Sequence, residues 1–168
     1  MDLEQRLRRL EDRAAISDLV VSYFLASDDD DSDGIAASFT QDAIFSSSGQ
    51  RNASGRAAIV AFIKAARSHM GLTIHTPNYV QCRLESADRA SGIVGAHLEL
   101  VLAGVSVFGA VRYVDSYVRD GGVWRISARD MRTVHLAPWS EVGEAFASTT
   151  PVRWPGAPGA ASDYPRKI

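Results

Sequence analysis

The hydrophobic period of this chain changes once, and that change constrains its fold more than any other feature. Before about residue 67 apolar residues recur at three- and four-residue steps, and from Thr73 onward they alternate. Leu3, Leu7, Leu10, Ala14, Ile16, Leu19, Val20, Tyr23 and Phe24 form the apolar stripe of one long helix over 3–27. It should stop near Ser27, because Asp28 to Asp31 set four carboxylates against the negative end of the helix dipole. A short helix over 33–39, capped by Ser32 or Asp33, follows, and Phe45 falls in a short strand. Ser54 can cap a third helix that buries Ile59, Phe62, Ile63 and Ala66. Four strands are then predicted over 74–86, 92–103, 106–119 and 123–134, joined by turns short enough for antiparallel neighbours.

Three helices ahead of a curling antiparallel sheet define an α+β architecture, a cone-shaped barrel with a conical cavity beneath the helices. At 168 residues and 46% hydrophobic content the chain can build one such core, expected over 1–145. Residues 146–168 are rich in proline and glycine, show no periodicity, and read as a tail, either disordered or laid across a neighbour. A formal charge of −2 with 18 scattered Lys and Arg argues against a nucleic-acid partner. No run reaches bilayer length and the N-terminus has no leader-like apolar region, so a cytoplasmic protein without a membrane partner is expected. Cys82, alone and without zinc-ligand neighbours, reads as a small buried hydrophobe.

Two residues could carry proton chemistry. The acidic run Asp28, Asp29, Asp30, Asp31 and Asp33 is ordinarily a solvated loop, and it has neither the central glycine nor the terminal glutamate of a calcium-binding EF-hand. The alternative turns its first carboxylate inward. His75 opens an apolar strand, where a histidine is commonly structural; beside a carboxylate, however, an imidazole is a poised general base. His69 ends a helix, where a cation suits the dipole, and His97 alternates away from the apolar side of its strand. On the last strand the two-residue period puts Arg129, Met131, Thr133 and His135 on one face. Arg129 there could hold an oxyanion, or form an ordinary surface ion pair. The nucleotide-binding glycine loop, the G-x-S-x-G elbow and H-E-x-x-H are all missing, so neither cofactor nor metal is expected.

Taken in order, LEDRAAISDLVVSYFLASDDDDSD, SFTQDAIF, SGRAAIVAFI, TIHTPNYV and VRYVDSYVRDGGVWRISARDMRT resemble the SnoaL-like branch of the nuclear transport factor 2 fold, from about Leu7 to about Leu136. Within that branch the chain is similar to hexachlorocyclohexane dehydrochlorinases, bile-acid 7α-dehydratases and, more loosely, scytalone dehydratases. The resemblance implies that Asp28 orients His75, which takes a proton from substrate, with Arg129 and Tyr23 as further catalytic residues. The dehydrochlorinases have a lysine in place of Tyr23. Their apolar pocket positions correspond to Phe45, Met70, Thr73, Ala96, Leu98, Tyr113, Met131 and Thr133, and His135 would add a donor that they lack. Leu98 stands where the bile-acid enzymes keep a further acid.

The implied function is that of a cofactor-free lyase or dehydratase acting on a small apolar cyclic molecule. An isomerase or cyclase in the same pocket is the second reading. A non-catalytic scaffold like the small subunit of aromatic-ring dioxygenases is the third. The resemblance also implies a homotrimer, its outer sheet face carrying Val114, Val118 and Ile126. Tyr23 and Asp28 lie about 140° apart on a regular helix, so their convergence is expected to need a helix that ends or loosens near Ser27.

Overall fold

The computed structural model describes residues 2–164. Helix α1 (Leu3–Asp28) opens on a capping box: Asp2 accepts from the Gln5 amide while the Gln5 side chain accepts from the Asp2 amide. Leu3, Leu7 and Leu10 of the apolar stripe are exposed, and continuous burial begins further along, with Ile16, Val20, Tyr23, Phe24 and Ser27. The helix does not stop at Ser27. It runs through Asp28 and ends with Asp30 in the left-handed region, φ +57, while the Asp31 amide reaches back to the Ala26 carbonyl. This six-to-one bond is the Schellman arrangement, with an aspartate where glycine is usual. Asp31 then caps α2 (Ser32–Ser38), its carboxylate accepting from the amides of Asp33 and Gly34, so the cap lies one residue before the expected Ser32 and two before the alternative Asp33. The acidic run is thus divided among a helix end, a turn and the next helix start.

Strands β1 (Phe39–Ser47) and β2 (Gln50–Ser54) form a hairpin, of which β2 was not predicted. Helix α3 (Arg56–Arg67) is preceded by Gly55 at φ +89, which takes the cap position expected for Ser54 and makes no side-chain cap bond. A residue with a Cβ is disfavoured in that backbone conformation, which is why glycine marks the helix start here. Of the expected buried face, Ile59 and Ile63 are buried, whereas Phe62 and Ala66 are half-buried because they border a cavity.

The rest of the sheet comprises β3 (Met70–Leu84), β4 (Arg89–Leu102), β5 (Val105–Asp120) and β6 (Val123–Pro138). Its strand order is β2-β1-β6-β5-β4-β3, antiparallel except for the parallel β1–β6 pair. The α+β architecture is as expected: a curved six-stranded sheet with three helices, α1 to α3, before β3 in the chain. Its inner face buries alternate residues of β5, Val107, Val111, Tyr113, Asp115 and Tyr117, while α1 packs Ile16, Val20 and Phe24 into the same core.

Two bulges in β6 break the period on which the sequence reading relied. One residue, Ser127, is inserted between the pairs Ile126–Tyr117 and Ala128–Ser116, so Ile126 lies on the inner face, fully buried, and not on the outer face with Val114 and Val118. A second, Val134, lies between Thr133–Val111 and His135–Ala110, which turns His135 to the face opposite Thr133. Gly109 makes room for this irregularity, since a Cβ there would come within 2.5 Å of the His135 carbonyl oxygen.

The expected tail is ordered against its own chain. A 3-10 turn (Trp139–Glu141) and α4 (Val142–Ala147) lead into an extended stretch in which Val152 bridges both Leu136 and Ala160. Residues 165–168 of that tail lie outside the described residues. No helix among the described residues is long and apolar enough to cross a membrane.

Candidate active site

Asp28 Oδ1 is 2.6 Å from His75 Nδ1 and also accepts the Thr73 hydroxyl at 2.9 Å, while Oδ2 accepts the His75 amide at 2.8 Å. Both partners are largely buried, with 15% and 12% of their side-chain surface exposed. Burial alone would raise the Asp28 carboxyl, but hydrogen bonds from the His75 ring and amide, with that from Thr73, hold it below its ordinary value. With a carboxylate at Nδ1 the imidazole carries its proton there, which leaves Nε2 as the lone-pair nitrogen for the cavity. Phe24 stacks on the imidazole, with centroids 4.9 Å apart and planes 11° apart, and fixes the ring's tilt.

Helix geometry explains how Tyr23 and Asp28 reach one site without any loosening of α1. Phe24 and Asp28 are four apart on one row and grip the imidazole by stacking and by hydrogen bonding. Tyr23 and Ser27 form the adjacent row and line the cavity directly. His75 spans the angle between the rows, so the expected fraying at Ser27 is unnecessary.

The cavity has a volume of about 150 Å³. Of the residues expected around a substrate, Phe45, Met70, Thr73, Leu98, Tyr113 and Met131 line it, together with His75 and Tyr23. Three do not. Ala96 is buried, paired with Pro77 and Val111, and is not among the residues that line the cavity. Thr133 is likewise buried, its amide bonded to Asp163 at 2.7 Å. His135, turned outward by the bulge, packs between Phe108 and Phe146; burial, and then His97, lower its pKa. It therefore supplies no donor to this cavity.

Arg129 is neither a surface ion pair nor a cavity-lining residue. Its Nε and Nη2 bind both Asp115 oxygens, at 2.9 and 2.7 Å, and neither side chain has solvent exposure. The guanidinium lies 4.3 Å from the Tyr23 ring centroid and 4.6 Å from that of Tyr113, two rings that line the cavity. Burial alone would favour neutral Arg129, but the Asp115 charge and hydrogen bonds keep it protonated. Its Nη1 has no hydrogen-bond partner among the described residues. Burial raises the Tyr23 phenol above its ordinary value and Arg129 offsets this only in part, so Tyr23 is a neutral donor.

Several residues at the site were not predicted. Asp115, which also accepts the Tyr117 hydroxyl at 2.7 Å, could have been found. It is a carboxylate at an inward position of the alternation Val111, Tyr113, Asp115, Tyr117. Arg67 donates to Thr73 Oγ1 at 2.6 Å and to Asp30 Oδ1 at 2.7 Å, and carries no local signal beyond its place in the last turn of α3. Because Thr73 Oγ1 accepts from Arg67, its own proton is directed at Asp28. Trp154, from the expected tail, also lines the cavity. No group of three His, Cys, Asp or Glu among the described residues is placed to hold a metal ion.

Comparison with known proteins agrees with this architecture. A search of curated proteins found no match. Among solved structures, LinA superposes with a TM-score of 0.75 at 28% identity, covering 80% of this chain and 94% of its own. The hexachlorocyclohexane dehydrochlorinase LinA-type3 from Novosphingobium barchaimii gives 0.74 at 25%, covering 80% and 94%. An NTF2-like protein with a cystatin-like fold from Novosphingobium aromaticivorans gives 0.66 at 25%, covering 77% and 86%. The SnoaL-like domain family matches residues 8–130, and the chain belongs to that family.

Proposed function

We propose that this protein is a cofactor-independent lyase of the dehydratase type, acting in the cytoplasm on a small apolar cyclic molecule, with His75 as its base. The observation that carries this reading is the 2.6 Å Asp28–His75 contact in the wall of an apolar cavity. The dehydrochlorinase structures to which the chain is similar supply the reaction class.

In the proposed reaction, Nε2 takes a proton from a ring carbon next to an activating group, and Asp28 stabilises the imidazolium that forms. The C–H electron pair becomes the new double bond, and the group on the adjacent carbon leaves with its bonding electrons. The neutral Tyr23 phenol donates to the departing group or to a developing enolate oxygen. Arg129 acts from beneath: its charge, held in place by Asp115, polarises the Tyr23 ring and does not touch substrate. A homotrimer, assembled through the outer sheet face that carries Val114 and Val118, belongs to the same proposal, and light scattering tests it.

The test begins without a known leaving group. Cyclic ketones with one ring are incubated with the protein in D2O, and exchange at the carbon next to the carbonyl is followed by NMR; ring β-hydroxyketones are then assayed for enone formation. His75→Ala and Asp28→Asn should each slow exchange by roughly a hundredfold to ten-thousandfold. The double variant should be little slower than His75→Ala, because Asp28 acts through the imidazole. Full exchange activity in His75→Ala would refute the assignment, as would its loss after chelation and dialysis.

A further inference from the structure

The match to the SnoaL-like family ends at residue 130, within β6, so the segment that follows β6 lies outside the matched residues. It is built as a strap. Leu136 donates to the Pro151 carbonyl at 2.9 Å and the Arg153 amide donates to the Leu136 carbonyl at 2.6 Å, seating the strap on β6. The chain then reverses: the Ala157 amide bonds to the Trp154 carbonyl at 3.0 Å across Pro155 and Gly156, the latter at φ +78. Proline in the second place and a positive-φ glycine in the third is the pattern of a type II turn. Val152 and Ala160 close the loop with two backbone bonds, of 3.1 and 2.7 Å. Beyond it, Asp163 accepts from the Thr133 amide and the Ser48 hydroxyl, pinning the strap to β6 and to the β1–β2 turn.

Alternation along this extended backbone decides where Trp154 points. Arg153 turns out to Glu141 and Glu144, whereas Val152 is buried and Trp154 packs against the core and lines the cavity. Its indole is half-buried, so it forms a wall next to solvent. The volume it leaves, about 150 Å³, is of the order that holds one benzene ring.

We propose that Trp154, held in place by this strap, is the residue that limits the ligand to a single six-membered ring. The proposal rests on the cavity of Proposed function being the ligand site, but not on the chemistry of His75. Removing the indole joins its volume to the cavity, and the volume gained exceeds the four carbons by which a fused second ring enlarges the ligand. Asp163 is then a remote positioning residue, since freeing the strap lets the indole leave the wall.

Calorimetric titration with phenol and with 1-naphthol tests this. Wild type should bind phenol at least tenfold more tightly than 1-naphthol. Trp154→Ala should lower that ratio at least tenfold by gaining affinity for 1-naphthol, Asp163→Ala should lower it less, and Trp154→Phe should retain most of it. Asp28→Asn disables the proposed base while leaving the cavity's shape, and should keep the wild-type ratio. An unchanged ratio in folded Trp154→Ala overturns the proposal, as does a wild type that binds 1-naphthol as tightly as phenol or binds neither probe. Loss of deuterium exchange in wild type would instead refute the reaction and leave the size limit standing.

Discussion

Replacing Asp115 with asparagine removes a charge while keeping the side chain's shape, and leaves the Arg129 guanidinium buried without its counter-ion. Arg129 is 1% exposed and Asp115 2%, and their contact is bidentate, so solvent can compensate little of the loss. Breaking such a buried pair from one side costs about 3–5 kcal/mol, a large part of the roughly 5–15 kcal/mol that stabilises a domain. For a chain of 168 residues, at about 2–4 °C per kcal/mol, the midpoint of thermal unfolding should fall by roughly 6–20 °C. Urea unfolding at pH 7 followed by circular dichroism measures the free energy directly, and an unchanged slope would show that the unfolded state is the same. The exposed Arg8–Glu4 pair is the control: Glu4→Gln should change stability by less than about 1 kcal/mol. Replacing both members, as Asp115→Leu with Arg129→Met, should recover most of what Asp115→Asn loses, because no orphaned charge remains. A loss under about 1 kcal/mol in Asp115→Asn, or a double variant no more stable than the single one, would refute the account of this pair.

Acid should act on the dyad. Asp28 has a folded pKa below its unfolded one, so its stabilising contribution is present above the ordinary carboxylate pKa and is lost as pH falls through the lower, folded value. Urea midpoints of wild type measured from about pH 5 down to about pH 2 should therefore fall more steeply than those of Asp28→Asn; parallel curves would contradict the sign. Thr73→Val removes the donor that links Arg67 to Asp28, and a hydrogen bond to a charged group of about 1.5–3 kcal/mol corresponds to roughly a tenfold to hundredfold slower deuterium exchange. Thr73→Ser should restore the rate, since it keeps the hydroxyl and loses only the methyl; failure of serine to do so would assign the effect to packing.

What the sequence made legible follows the range of the interactions involved. The first three helices and the four long strands are written in local periods, and their existence and order could be read from spacing alone, whereas α4 was not. Asp28 and His75 are 47 positions apart, and no spacing rule joins them; their pairing was expected from family resemblance. Extrapolated strand faces failed where β6 takes an extra residue, at Ser127 and Val134, because one insertion reverses every later side chain. Ile126 and His135 were misplaced for that reason, whereas Met131, between the two bulges, lies on the expected face.

The same distinction explains the strap. Its Pro155-Gly156 turn is a local signal, legible as a reversal, but a reversal alone does not say what it packs against. That depends on Leu136 having backbone groups to offer, which in turn depends on β6 ending as an edge toward residues 151–153. A segment without hydrophobic periodicity therefore read as a tail, although unmet backbone hydrogen bonds at the end of β6 gave it a place to bind. The wall residue Trp154 is fixed by that non-local pairing, and the cavity that the helices and sheet open is bounded by the part of the chain with the least regular sequence.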